Sequence, residues 1–177
     1  MEELKGQKCV FCGKDTLTLM EDEVDVAFFG KVFIFSMNCA NKECNYSKSD
    51  LEAAEIKEAC KLTFNVESAE DLKVRVVKGS NATVKVTGLK MSVRPGPASN
   101  GYISNIEGVL NRFKKIIERV RDNSDDSKER KSAKNLLKKL WKVECGDLPL
   151  KIVIEDPTGN SGIISEKTKI EKLKVKK

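Results

Sequence analysis

Cys9-Val10-Phe11-Cys12-Gly13 and Cys39-Ala40-Asn41-Lys42-Glu43-Cys44, with 26 residues between Cys12 and Cys39, decide how the first part of this chain folds. The first pair, followed by glycine, is a knuckle that aims two sulfurs at one point. The second pair, with four residues between its cysteines, makes a wider turn. The interval is long enough for a hairpin that brings the pairs together. Four thiolates in a tetrahedron form the closed shell of a structural zinc ion. A rubredoxin-like iron site uses the same donors, so the native metal stays open between the two. A catalytic zinc keeps a vacant position, which four cysteines do not leave. A disulfide pairing suits an exported chain, and a redox CxxC needs a βαβ setting that this sequence lacks.

Strand patterns fill the interval. Thr16 to Met20 alternates, an acidic break follows at Glu21-Asp22-Glu23, and Val24, Val26 and Phe28 alternate again. Gly30-Lys31 offers a turn, and the run Val32 to Met37 leads into Cys39. Residues 1–50 are therefore expected to form a zinc ribbon. Residues 51–60 suit a short helix or an extended linker, and the pattern does not choose.

Residues 51–177 read as a β-domain. Lys61 to Val66 is one strand candidate. Leu72, Val74 and Val76 alternate, then Ala82, Val84 and Val86, then Leu89, Met91 and Val93. A loop follows at Pro95-Gly96-Pro97 and Ser99-Asn100-Gly101. From about 104 to 145 the period changes to helical. Ser104 and Glu107 have capping-box spacing. Ile106, Val109, Leu110, Phe113, Ile116, Ile117 and Val120 trace one face. Asp122 to Asp126 breaks the helix. A second helix runs from Ser127 to Glu144 with Ala133, Leu136, Leu137, Leu140 and Trp141 on its apolar side. A short connection makes an antiparallel helical hairpin, inserted into the β-domain. Strands resume at Leu150 to Glu155 and at Ile163-Ile164, and Ile170, Leu173 and Val175 suit an edge.

Charge is unevenly spread. Residues 1–50 hold six lysines against nine acids, a net of −3, and residues 51–177 hold 27 basic against 18 acidic residues, a net of +9. The hairpin, with 12 basic and 7 acidic residues, reads as a solvated face or as a phosphate-binding surface. A binding module for nucleic acid or ribosomes, using the basic β-domain, hairpin and tail, is therefore the alternative to a protein-binding one. The sequence has no histidine, which removes the commonest general base and the Ser-His and Cys-His nucleophile pairs. No enzyme is expected. No apolar run reaches membrane-spanning length, and Met1-Glu-Glu-Leu-Lys lacks the layout of a secretory signal, so a cytoplasmic protein is expected. Cys60 and Cys145 read as buried apolar thiols.

Several segments, taken in order, resemble the ZPR-type zinc-finger family. They are Cys9-Val-Phe-Cys12-Gly13, Val32-Phe-Ile-Phe-Ser-Met-Asn-Cys39, Asp71-Leu-Lys-Val-Arg-Val-Val-Lys78, Gly101-Tyr-Ile-Ser-Asn-Ile-Glu-Gly-Val-Leu110 and Ile152-Val-Ile-Glu-Asp-Pro-Thr-Gly-Asn-Ser161. The resemblance implies a mainly β fold: a zinc ribbon followed by a double-stranded β-helix, jelly-roll-like, carrying the helical hairpin. It implies one structural zinc on Cys9, Cys12, Cys39 and Cys44, and a single module such as archaeal members carry. It also implies a partner, because eukaryotic members bind the GTPase elongation factor 1-alpha and help it to fold. Asp156, Pro157, Gly159, Asn160 and Ser161 match the family's second signature, which marks them as candidate partner-binding residues. The family's second cysteine pair is usually separated by two residues. Here it is separated by four, which implies a wider second knuckle.

Overall fold

A computed structural model of the chain describes residues 1–55 and 57–173. Its first sheet is antiparallel, in the order β1 (Glu2–Gln7), β2 (Leu17–Val26), β3 (Gly30–Cys39) and β4 (Ser47–Ala53). The acidic stretch does not interrupt it. Glu21, Asp22 and Glu23 lie inside the single ten-residue strand β2. The pleat turns Glu21, Glu23 and Asp25 outward, so their charges stay in water while Val26, on the opposite face, is buried. Lys31 on β3 then pairs with Glu23 at 2.6 Å. The turn falls at residues 27–29 rather than at Gly30-Lys31. For residues 51–60 the structure selects the extended alternative: β4 runs to Ala53, and the described residues of 54–59 carry neither helix nor strand.

The remaining strands are β5 (Cys60–Val66), β6 (Arg75–Lys78), β7 (Thr83–Val86), β8 (Met91–Val93), β9 (Tyr102–Asn105), β10 (Leu150–Asp156), β11 (Gly162–Ile163) and β12 (Lys169–Lys172). They build a five-stranded sheet, β12-β5-β10-β7-β8, and a three-stranded sheet, β11-β6-β9. Together these are the mainly β, jelly-roll arrangement expected. Strand β10 is its spine. Ile152 stands between Phe64 and Val86, and Ile154 between Leu62 and Val84. These cross-strand ladders of aliphatic and aromatic side chains face one core, and all six residues are buried.

Helices α1 (Ile106–Asn123) and α2 (Ser127–Glu144) form the inserted hairpin between β9 and β10. Ile106, Leu110, Phe113 and Leu140 enter the same core as Phe64 and Ile152. The apolar stripe is narrower than its period suggests. Ile116, Val120 and Trp141 are exposed, because they lie at the margins of the face that meets the sheet. The cap of α1 is Asn105, whose side chain accepts from the Gly108 N–H at 2.8 Å, and not Ser104. Ser104 is committed to β9, opposite Val76.

The expected alternation at Leu72 and Val74 is also corrected. Ala69–Lys73 is a 3-10 helix, because the Asp71 carboxylate accepts from the N–H groups of Glu67 and Ser68 and closes the turn. Cys145 is exposed and Cys60 half-buried, so neither is a fully buried thiol. At the tail, β12 does pair with β5, with Ile170 opposite Leu62, whereas Val175 lies outside the described residues.

Candidate metal centre and the 156–161 turn

The cysteine cluster is made by two turns and two strand ends. In the first knuckle the Gly13 N–H donates to the Cys9 carbonyl, and the Cys9 N–H to the Lys14 carbonyl, both at 2.9 Å. Strand β3 delivers Cys39, which lies opposite Leu17 on β2. The wider pair closes through Asn41, whose carbonyl accepts from Cys44 N–H at 3.0 Å and Asn45 N–H at 2.9 Å. Two extra residues are thus absorbed in one turn of backbone.

The four sulfurs lie within 4.8 Å of one another. Cys9–Cys44 and Cys12–Cys39 are each 3.8 Å apart. A tetrahedron with metal–sulfur bonds of about 2.3 Å has edges of about 3.8 Å, so the spacing fits one four-coordinate zinc. Cys9 and Cys39 are buried and Cys12 and Cys44 half-buried, packed on Leu17, Leu19, Met37 and Tyr46. The Lys14 amide, then the Asn41 side chain, draw the Cys12 thiol down to about 6, whereas burial pushes Cys44 up to about 11. A divalent cation overrides that spread, because coordination deprotonates thiols outright. The cluster supports one structural zinc. When bound, the ion cross-links both turns to the end of β3; the residues around it supply packing.

The knuckle's own apolar residues point away from the cluster. Val10 is 75% and Phe11 72% exposed, and Phe11 rests on Tyr46 with ring centroids 4.5 Å apart. Sequence reasoning passed over this pair. The signal was present: two apolar residues inside a four-residue knuckle cannot both turn inward once the flanking sulfurs do.

The second signature lies at the other end of the first sheet. Asp156 is fully buried; its carboxylate accepts from Thr158 N–H at 2.8 Å, from the Thr158 hydroxyl at 2.7 Å and from the Ser161 hydroxyl. Ser161 Oγ in turn accepts from the Gly79 N–H. Asn160 Oδ1 accepts from the Ala53 N–H on β4, which ties the turn to the first sheet. Gly159 has a φ of 75°, and a Cβ there would stand 2.5 Å from the Lys57 carbonyl oxygen. Asp156, Gly159 and Ser161 are therefore buried, Asn160 is half-buried, and Pro157 and Thr158 face solvent.

The joint is wider than the motif. Asp50 accepts from the Ser80 hydroxyl at 2.6 Å, the Gly101 N–H donates to the Ser49 carbonyl, and Val26, Val32, Leu51 and Val77 share a buried cluster. Ser49, Asp50 and Ser80 carry no motif, and only the fold brings them together. On the hairpin, Lys114 pairs with Glu144, Arg121 with Asp122, and Arg112 lies 3.9 Å over the Tyr102 ring. Among the described residues no helix is long and apolar enough to cross a membrane.

The family model of the ZPR1 jelly-roll domain matches residues 70–177. A ZPR1-like protein of Pyrococcus horikoshii is 36% identical over 184 residues, covering 97% of this chain and 82% of that protein. A ZPR1-like protein of Methanocaldococcus jannaschii is 33% identical over 167 residues, covering 94% of this chain and 83% of that protein. The zinc finger chaperone zpr1 of Schizosaccharomyces pombe is 31% identical over 165 residues, covering 88% of this chain but 33% of that longer protein. With a matching family model over the jelly-roll, and archaeal relatives aligned over most of their length, the chain belongs to the ZPR1 family.

Proposed function

We propose that this chain is a non-enzymatic protein-binding module that acts as a folding factor for a GTPase of the elongation factor 1-alpha type. The observation that carries the reading is the metal knuckle. Cys9, Cys12, Cys39 and Cys44 as zinc ligands hold Val10 and Phe11 rigidly in solvent, at the tip of a region whose net charge is −3. A zinc tetrathiolate adds about −2 to that charge. A preorganised apolar pair in an acidic field suits a basic protein surface with an apolar pocket. The chaperone name of the fission-yeast relative supports the same reading. Within the second signature, Pro157 and Thr158 are the members a partner can touch, while Asp156, Gly159, Asn160 and Ser161 hold them in place.

The test is co-purification from a cell extract with the zinc-loaded chain. The elongation factor is expected to be enriched, and a Val10→Ser/Phe11→Ser double variant that retains its zinc should lose it. Failure of the native chain to capture it in mild salt would sink the reading.

One observation favours a second reading. Trp141 is 61% exposed on α2, one turn from Lys138 and two from Lys134, a stacking ring beside cations. Single-stranded RNA bound through it would show affinity that falls steeply with salt and drops in Trp141→Ala. Equal binding by wild type and variant removes this reading.

A further inference from the structure

Among the described residues the jelly-roll is open along one edge. Its larger sheet ends on β12, and its smaller sheet ends on β11, which is two residues long. Ile170 on β12 stands opposite Leu62 on β5, so the pleat aims both at the inner face. Leu62 is buried, yet Ile170 is 70% exposed. An inward-facing side chain that stays in water marks a missing piece of core. The gap is a groove of about 740 Å³ whose apolar walls include Phe28, Leu62, Ile163, Ile164 and Ile170.

Three observations describe what fits it. Phe28, on the rim, is 99% exposed with a φ of 63°. A bulky residue in the left-handed region is strained, and nothing within the described chain covers the exposed ring. Lys57 borders the same groove. Its ammonium donates to the Phe29 carbonyl at 2.7 Å and sits 3.4 Å over the Phe29 ring, but no carboxylate pairs with it among the described residues. Burial lowers its pKa, while the nearby charges of Glu55 and Cys60 act the other way. The groove's own acids are elsewhere engaged or outward: Glu58 pairs with Lys172, Glu171 with Lys61 and Lys169, and Glu166 faces solvent. Finally, β12 is an edge strand, and its outer backbone is a template for a further strand.

We propose that this groove binds an extended segment of a client polypeptide alongside β12, with an apolar side chain against Ile170 and Phe28 and an aspartate or glutamate at Lys57. The proposal rests on the protein-binding reading above. The two fail separately, because the peptides below contain nothing of the elongation factor and the knuckle plays no part.

The probes are two short fluorescein-labelled peptides of alternating valine and threonine, one with a central aspartate and one with a lysine in its place. Anisotropy with the full zinc-loaded chain should show the aspartate peptide binding about tenfold or more tighter. Ile170→Glu should cost about tenfold or more in affinity, and Phe28→Ser should weaken binding in the same direction. Both side chains are exposed, so both variants keep the fold, as circular dichroism checks. Lys57→Glu should reverse the preference between the peptides. Indifference to peptide charge, binding by neither peptide, or unchanged affinity in Ile170→Glu would overturn the proposal. So would a concentration-dependent dimer abolished by Ile170→Glu, which would give the groove to a second copy of the chain.

Discussion

Around the cysteine cluster only Cys9, Leu17 and Cys39 are buried among the described residues, whereas 21 buried residues share the jelly-roll core. Both regions are antiparallel β-structure, yet they are stabilised differently. At the knuckle end of the first sheet, four sulfurs stand where a core would otherwise be. At the other end of that sheet, Val26, Val32 and Leu51 pack with Val77 of the jelly-roll. One sheet therefore spans a metal-dependent end and a core-dependent end, which implies that stability is not uniform along it.

Metal removal gives the largest expected effect. Structural zinc in small modules contributes on the order of 10 kcal/mol or more. Chelation, or Cys39→Ser, should expose the amides of residues 8–20 and 36–47 to hydrogen exchange while those of β5 and β10 stay protected. If both regions lose protection together, the comparison is wrong and the chain is one cooperative unit. The converse experiment is Phe64→Ala, which removes a fully buried ring from the jelly-roll core. A loss of about 3–5 kcal/mol is expected in denaturant titration, with zinc still bound.

Next in size comes the joint between the regions. Asp156→Ala leaves Thr158 and Ser161 without their buried acceptor, which costs about 1–3 kcal/mol. The effect should extend beyond the turn, because Ser161 also receives the Gly79 N–H and Asn160 receives that of Ala53. Faster exchange at Gly79 and Ala53, with the metal centre unchanged, would confirm that the turn fastens the sheet to the jelly-roll. Unchanged exchange at both would assign it a purely local role.

How much of this was legible follows from the range of the forces involved. The cysteine cluster was readable because knuckle spacing is a local constraint, and the helical hairpin because its period is. Strand β10 showed itself as an apolar, β-branched run. The joint was not readable: Asp50 and Ser80 are 30 residues apart, and the Ala53 N–H meets Asn160 across 107. The acidic stretch Glu21 to Glu23 misled because three adjacent acids look like a break, while a two-sided strand exposes alternate positions to water. The signature turn was legible as a motif, but its burial depended on what the fold placed around it.

Asp71 carries the smallest effect and the same lesson. It precedes the run Leu72, Val74 and Val76 that reads as a strand, yet its buried carboxylate builds the 3-10 turn that carries the chain from β5 to β6. Burial alone would raise its pKa. The Glu67 N–H, Lys167 at 2.9 Å and the Ser68 N–H together outweigh burial and hold the carboxyl below its ordinary range. A carboxylate depressed in the folded state adds stability that is complete above about pH 4, the unfolded value, and is lost as pH falls through the lower folded one. Lys167 is shifted upward by the same contact, so its contribution is complete below its unfolded value near pH 10.5 and is lost as pH rises through the folded one. The pair therefore supports the jelly-roll across the neutral range and fails at both extremes. Asp71→Asn should lower Tm at pH 7 by about 2–4 °C, roughly 1 kcal/mol in a chain of this size. It should also flatten the fall in Tm below pH 4, without changing the hydrogen exchange of the knuckle. A variant as acid-sensitive as the native chain would show that other carboxylates, and not this cap, set the acid limit of the core-dependent region.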